Sequence, residues 1–221
     1  MIVFRDPAEV PPGFGPSVVV IGKFDGVHSG HRAVIDRARV KAVSLGATVV
    51  AVTFDRNPLA LLAPDKCPEN LIGVNQKVRL LADTGVDAVL VLRFDEDLAS
   101  LAADEFASLV LVDALAAEAV LVGADFRFGR GGVGTAQTLT AFGLSHGFEV
   151  DVVHDVRAAD RGRRVSSTWI RELLSSGDVV GARKLLGRDH SVVGEVVHGL
   201  KRGREIGYPT ANLSDDLEGF V

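Results

Sequence analysis

The chain alternates short valine-rich runs with longer segments of mixed polarity. The runs are rich in β-branched residues and apolar on both faces, and they lie at 17–22, 47–54, 86–93, 119–123 and 148–153. Short runs without a polar face are typical of strands buried within a parallel sheet. The pattern therefore predicts a parallel sheet built from these segments.

Helices are predicted between the strands. The clearest is 30–45, whose apolar face consists of Val34, Ala38, Ala42 and Leu45. Weaker helical patterns cover 75–84, 102–117 and 135–146. Repeated strand–helix–strand units predict an α/β fold with helices on both faces of the sheet. In such folds ligands bind at the carboxyl ends of the strands.

The pattern changes after Arg163. Residues 165–186 predict two short helices separated near Gly177, with Ser166, Ser167 or Thr168 as the first N-cap. Beyond Gly187 the sequence is glycine-rich with short alternating runs, so we expect β structure there and no helix. We place a domain boundary at this point, dividing the chain into 1–186 and 187–221; the second part is shorter than the roughly 40 residues that a lone domain needs.

Composition narrows the class of protein. Apolar residues make up 47% of the chain and charged residues 24%, as in ordinary globular proteins. The formal charge of −5 argues against a general nucleic-acid binder. Cys67 is the single cysteine, which excludes an intrachain disulfide and a thiolate zinc site. The chain has neither a signal-peptide pattern nor an apolar run long enough to cross a membrane, so we expect a cytoplasmic protein without a membrane partner.

The first candidate site is the segment GKFDGVHSGH, residues 22–31, between the first predicted strand and helix. Gly22 and Gly26 permit a tight turn close to a ligand, and His28 and His31 share one face of the helix start. The free N–H groups of a helix N-terminus favour a phosphate there. The alternative is an ordinary turn with two surface histidines.

This segment resembles the H-x-G-H signature of nucleotidyltransferases, and its full form resembles the FMN adenylyltransferase module of bacterial bifunctional riboflavin kinase/FAD synthetases. The resemblance implies a Rossmann-like nucleotidyltransferase sheet, followed by the start of a small β-barrel. It also implies transfer of a nucleotidyl group with release of pyrophosphate and no covalent enzyme intermediate. On this resemblance the ATP-binding residues are Gly22, Phe24, Asp25, His28 and His31.

Two further segments resemble the flavin-binding parts of that family. VTFDRNP follows the second strand and implies that FMN is bound by Phe54, Asp55, Arg56 and Asn57. Arg56 and Asn57 stand where the family usually has proline and histidine. VGADFRFGRGG implies that Asp125, Phe126 and Phe128 shape the flavin or adenine pocket.

The segment VSSTWIR resembles the family's triphosphate clamp and implies ATP contacts from Ser167, Thr168 and Arg171. Taken alone, S-S-T is as well explained by a helix cap. Trp169 fills a position that is often arginine in the family, and we expect little cost if its side chain points outward.

The tail VVGEVVHGLKRGREIGYPTANL, residues 192–213, resembles the opening of the riboflavin kinase barrel. The family uses Thr210 and Asn212 at this place to hold Mg²⁺ and ATP phosphates. The remainder of that barrel lies beyond the chain, so we expect no riboflavin kinase activity from these 221 residues.

The function implied is an ATP:FMN adenylyltransferase in which His28, His31 and Arg171 are the catalytic residues. ATP and FMN are the expected substrates, with Mg²⁺ on the triphosphate and riboflavin as a substrate of a complete kinase. Two alternatives stay open: another phosphate acceptor, such as a nicotinamide or pantetheine phosphate, and a non-catalytic flavin- or nucleotide-binding protein. GRGGVG at 129–134 also fits a dinucleotide fingerprint, but it follows the fourth strand where the first is required. The oligomeric state is open.

Overall fold

A computed structural model describes residues 1–154, 157, 162–200 and 202–221. Its strands are β1 (Ile2–Phe4), β2 (Ser17–Ile21), β3 (Thr48–Phe54), β4 (Ala88–Leu92), β5 (Ala117–Gly123), β6 (Arg127–Phe128), β7 (Gly134–Thr135), β8 (Glu149–Val153), β9 (Val196–Val197) and β10 (Asn212–Leu213). Its α-helices are α1 (Ser29–Leu45), α2 (Leu59–Leu62), α3 (Val74–Ala82), α4 (Glu96–Ser100), α5 (Ala103–Ala107), α6 (Ala136–His146), α7 (Ser167–Ser175), α8 (Val179–Leu186) and α9 (Arg202–Glu205).

Six strands form one parallel sheet in the order β1-β4-β3-β2-β5-β8. Side chains alternate across it: Val18 and Val20 face one apolar core, and Val19 and Ile21 face the other. The first core is covered by α1, α3, α7 and α8, and the second by α5 and α6. The predicted α/β sheet with helices on both faces is therefore confirmed, with β1 as an additional edge strand.

Two helical predictions need correction. On α1 the fully buried side chains are Ile35, Ala38 and Ala42, whereas Leu45 in the last turn is exposed. The predicted helix at 102–117 is α5 followed by a π-helical stretch, Ser108–Ala114. It stops before Ala117, where the chain enters β5. The wider π turn keeps Val110 and Leu111 buried against the sheet.

The pair α7 and α8 follows the prediction, with the break at Gly177. Ser166 is the N-cap of α7, since its hydroxyl accepts a hydrogen bond from the Trp169 amide at 3.2 Å. The Trp169 side chain is 4% exposed and packs in the first core, with the Arg163 guanidinium 5.0 Å from its ring centroid. An outward-pointing tryptophan is thus wrong for this chain.

The residues after Gly187 form a small antiparallel pair, β9 and β10, with the one-turn helix α9 between them. The expectation of no helix in this tail is therefore wrong. Most tail side chains are exposed, but Gln76 on α3 donates to the Ser191 carbonyl at 3.1 Å, and Phe220 packs against the first core. Within the described ranges, no helix is long and apolar enough to cross a membrane.

Truncating Trp169 tests the burial of α7. We expect Trp169→Ala to lower the free energy of unfolding by about 3–5 kcal/mol, because a large buried ring leaves a cavity. Denaturant unfolding measures this, with Val43→Ala on exposed α1 surface as the control, expected within about 0.5 kcal/mol of the parent. Equal stability of the two variants would contradict the buried position.

Candidate active site

The loop between β2 and α1 is bent by residues in the left-handed region of backbone space. Phe24 has φ 48°, Gly26 has φ 83° and Val27 has φ 39°. Side chains with a Cβ rarely adopt such angles, so Phe24 and Val27 must be held there by their surroundings. Both are buried in the first core, at 2% and 0% exposure. The core thereby forces the loop to turn back at the carboxyl end of the sheet.

This turn brings the two histidines together at the N-terminus of α1. His28 is the N-cap, and its Nδ1 accepts a hydrogen bond from the His31 amide at 3.4 Å. The imidazole rings are stacked, with centroids 3.7 Å apart and planes inclined by 15°. Gly30 makes this possible, since a Cβ there would lie 3.1 Å from the His28 ring. The surface-histidine alternative does not fit, because His28 is 6% exposed.

The His31 ring has an unmet hydrogen-bonding group. Its Nδ1 is buried and has no hydrogen-bond partner among the described residues. The ring edge of Phe24 lies against it, with centroids 5.2 Å apart. An unpaired buried polar atom costs about 1–3 kcal/mol. The position is therefore one where a ligand would supply a missing interaction.

Both imidazoles are neutral at physiological pH. Burial lowers the pKa of His28 to about 4, and the positive charges of Arg164 and Arg188 act in the same direction. Burial also holds the pKa of His31 well below its usual value, with His28 and Lys77 adding to the effect. Each neutral ring can donate one N–H and accept a hydrogen bond at its other nitrogen.

Asp25 joins the loop to two other parts of the chain. Its carboxylate pairs with the Arg171 guanidinium and accepts the Leu71 amide at 2.8 Å, and its carbonyl accepts the Ser167 hydroxyl at 2.8 Å. Arg171 also donates to the Glu69 carbonyl at 2.5 Å. Burial raises the pKa of Asp25, against the lowering effect of Arg171.

The predicted ATP-binding residues therefore do lie together. Gly22 follows directly after β2, and its amide donates to the Val52 carbonyl at 3.1 Å. Helix α7 contributes Ser167 and Arg171. Thr168 is exposed at the start of the same helix. Arg171 and Ser167 are engaged within the protein, so a role as triphosphate ligands would require them to share or exchange these bonds.

The predicted FMN segment after β3 borders a polar pocket. Its walls include Lys23, Asp25, Asp55, Arg56, Asn57 and Lys77. Asp55 accepts the Phe94 amide at 2.9 Å and pairs with Arg56 at 3.3 Å, and Asn57 accepts the Leu59 amide at 3.1 Å. Phe54 lies edge-on to Phe94, with ring centroids 5.5 Å apart.

Lys77 is the residue that sequence reasoning missed. It lies on the apolar stripe of α3, between Val74 and Leu81, yet only 7% of it is exposed. A lysine at a core position of an amphipathic helix was the available signal, since a buried charge requires a partner. Burial lowers its pKa to about 8, while Asp25 and Asp55 oppose the shift.

The third predicted segment lies on the hairpin of β6 and β7. Phe128 is 9% exposed and belongs to the second core, and Phe126 stacks on it at 5.3 Å. Phe126 is half-buried and has the more accessible ring. Asp125 pairs with Arg164 at 2.9 Å, which lowers the pKa of Asp125.

The remaining predicted groups lie elsewhere. Thr210 and Asn212 are exposed in the tail, and among the described residues no hydrogen bond joins them to the histidine loop, residues 22–31. The segment GRGGVG lies in the β6–β7 hairpin. A dinucleotide fingerprint would also need an acidic residue about 20 positions further on. The acidic residues there pair with α1, Asp151 with Arg37 at 2.5 Å and Glu149 with Lys41 at 2.6 Å.

The low pKa of His28 predicts a loss of stability in acid. A histidine with a lowered folded-state pKa binds fewer protons in the folded than in the unfolded chain between pH 4 and 6.5. Stability is thus lost as the pH falls through that window. We expect the parent to lose about 2 kcal/mol more than His28→Asn between pH 7.5 and 4.5 in denaturant unfolding. Asparagine keeps the N-cap; parallel curves for the two proteins would contradict a buried neutral His28.

The sequence matches two family models and several curated relatives. The FAD synthetase family model matches residues 12–169, and the riboflavin kinase family model matches residues 186–219. The bifunctional riboflavin kinase/FMN adenylyltransferase of Escherichia coli K12 is 41% identical over 196 residues, covering 89% of this chain and 62% of the relative. The proteins of the same name from Pseudomonas fluorescens and Bacillus subtilis are 40% and 36% identical, with 62% and 61% of each relative covered.

A solved structure shares the fold. A crystal structure described as a macrolide-efflux protein from Streptococcus pneumoniae superposes with a TM-score of 0.80 at 34% identity, covering 96% of this chain and 68% of that one. The chain thus spans roughly three fifths of the length of the curated relatives it matches. The family model that matches more than half of the chain, together with these relatives, shows that the chain belongs to the FAD synthetase family.

Proposed function

We propose that this chain is an FMN adenylyltransferase, which transfers AMP from ATP to FMN and releases pyrophosphate. The observation that carries the proposal is the stacked, neutral pair His28 and His31 at the N-terminus of α1, with the buried Nδ1 of His31 left without a protein partner. Membership of the FAD synthetase family supports the choice of FMN as acceptor. Residues 1–186 would form the adenylyltransferase part.

The proposed reaction is a direct in-line transfer. An oxygen of the FMN phosphate forms a bond to the α-phosphorus of ATP, and the bond from that phosphorus to the bridging oxygen breaks, so that pyrophosphate leaves. The attacking oxygen is already ionised near neutral pH. The protein therefore has to position the two phosphates and stabilise the developing charge, and need not remove a proton.

The structure offers suitable groups for both tasks. A neutral imidazole donates an N–H, and the amides at the start of α1 have no helical acceptors, so the α-phosphate would lie against His28, His31 and the helix N-terminus. Ser167 and Arg171 come from α7 on the other side of Asp25 and would hold the outgoing pyrophosphate. The segment 54–57 and Phe126 would contact FMN.

Mg²⁺ enters the proposal as part of the ATP substrate. Among the described residues no group of three or more His, Cys, Asp or Glu side chains is placed to hold a metal ion. Magnesium commonly keeps its own waters and binds substrate phosphates through few protein ligands. We infer that magnesium reaches this site bound to the triphosphate.

Incubation with FMN, ATP and magnesium tests the proposed function. We expect FAD and pyrophosphate in equal amounts, resolved by chromatography and a pyrophosphate assay. Nicotinamide and pantetheine phosphates, offered in parallel, should give no product. Product from one of those acceptors would show that the chain is a nucleotidyltransferase with a different phosphate acceptor. Tight FMN binding without pyrophosphate release would show a non-catalytic flavin-binding protein.

The histidine pair should dominate the rate. We expect His28→Asn to lower kcat by about 100-fold or more, the size of effect seen when one preorganised donor to transition-state charge is lost. His146→Asn is a matched control, since that histidine is exposed at the end of α6 and should leave the rate unchanged. If the His28 variant had the same rate as the parent, the role of His28 would be structural and not catalytic.

For riboflavin phosphorylation we predict no activity from these 221 residues. The part matched by the kinase family model contains two two-residue strands and a one-turn helix, and both Thr210 and Asn212 are exposed on it. Incubation with riboflavin and ATP should yield no FMN or ADP above background. ADP formed in step with FMN would show that the tail is sufficient.

A further inference from the structure

Lys77 is a buried cation without a carboxylate bound to it. Its ammonium donates to the Phe54 carbonyl at 2.9 Å and lies 3.5 Å from the Thr53 hydroxyl. Within the described ranges, no carboxylate oxygen is at ion-pair distance from it. An ammonium has three protons to donate, so these two contacts leave one donor direction open. Burying a charge in this way is costly unless something else balances it.

The open side of Lys77 faces the polar pocket at the end of β3. Lys23 and Lys77 line it together with Asp25 and Asp55. Both carboxylates are already used: Asp25 by Arg171 and the Leu71 amide, and Asp55 by Arg56 and the Phe94 amide. Asp25 and Asp55 offset part of the charge of Lys77, but with Arg56 the lining carries three cations against two carboxylates, and Asp25 is also paired with Arg171. This balance suits an anion.

The position of the pocket identifies which anion fits. Lys77 is bonded to the backbone of Phe54, at the start of the segment 54–57, and Thr53 ties the same strand end to the Lys23 carbonyl at 3.2 Å. The triphosphate groups proposed above come instead from α1 and α7. The pocket borders the segment 54–57, to which the proposed function assigns FMN.

We propose that Lys77 binds the phosphate of FMN and is the residue by which this site distinguishes FMN from riboflavin. The inference rests on the proposed function, because it names the group that would hold the acceptor. Its chemistry is a charge-assisted hydrogen bond between an ammonium and a phosphate monoester, supported by Lys23.

Binding measurements on the whole chain test it without relying on turnover. We expect the parent to bind FMN more tightly than riboflavin, and Lys77→Met to weaken FMN binding by about 10- to 100-fold, as for loss of a hydrogen bond to a charged group. Riboflavin and ATP affinities should stay unchanged, which also shows that the variant is folded. Arg79→Met, an exposed cation on the same helix, is the charge-matched control and should bind FMN like the parent.

A pH series gives a second readout that a structural role would not produce. The titratable and charged groups around Lys77 are Lys23, Asp25, Asp55, Arg56 and His31. The FMN phosphate is fully ionised between about pH 7.5 and 9. FMN affinity should therefore weaken, by roughly tenfold at most, as Lys77 loses its proton above pH 8, while Lys77→Arg should bind FMN without this pH dependence.

The outcomes separate the two proposals. Four outcomes would each overturn the role of Lys77. Three concern Lys77→Met: an equal loss of FMN and riboflavin binding, unchanged FMN binding, or a loss of ATP binding in place of FMN binding. The fourth is a parent protein that does not prefer FMN to riboflavin. Absence of FAD formation alongside Lys77-dependent preference for FMN would defeat the adenylyltransferase and leave Lys77 as the phosphate-binding residue of a flavin-binding protein.

Discussion

The ion pair between Asp25 and Arg171 holds the site together. Through it the loop after β2 and helix α7 meet, and the Asp25 carboxylate and Arg171 guanidinium each add a bond to the segment 69–71. The pair is nearly buried, so its attraction is offset by the loss of hydration, and the raised pKa of Asp25 reflects that balance. Its main contribution is to position three segments. Removing either partner would leave a buried unpaired charge and loosen the loop after β2, helix α7 and the segment 69–71 at once.

The same place in the fold concentrates several unfavourable features. Two residues with a Cβ adopt positive φ. Among the described residues, one buried imidazole nitrogen has no hydrogen-bond partner, and the buried Lys77 has no carboxylate at ion-pair distance. Each raises the free energy of the folded chain without ligand, and the two packed cores on either side of the sheet must supply the difference. Such a combination is typical of a preorganised ligand site, because its polar groups are already in place before the ligand arrives.

Hydrophobic periodicity and sequence motifs were sufficient to predict the sheet and the loop that begins the candidate site. Buried parallel strands follow from runs such as Val18–Val20, and the helix start at His28 follows from the glycine-bounded loop before it. The predictions that were wrong or missing concern residues whose position depends on tertiary packing. The usual residue at the position of Trp169 favours an exposed side chain, whereas packing places its ring in the core. The position of Lys77 on the apolar stripe of α3 signals a buried charge, but its place in the site follows only from the packing of that stripe against the end of β3. The π-helical stretch after α5 likewise depends on where β5 must begin.

The arrangement of the strands has a consequence for how the site forms as the chain folds. Arg171 lies 146 residues beyond Asp25, and β2 is completed on one side by β5, about 100 residues later. Contacts this distant in sequence form only after a large loss of chain entropy. A nascent chain emerging from the ribosome therefore carries the histidine loop long before it carries the helix that fixes it. Until α7 arrives, Asp25 is a solvated carboxylate on an unfinished sheet, and the candidate site is complete only in the last stage of folding.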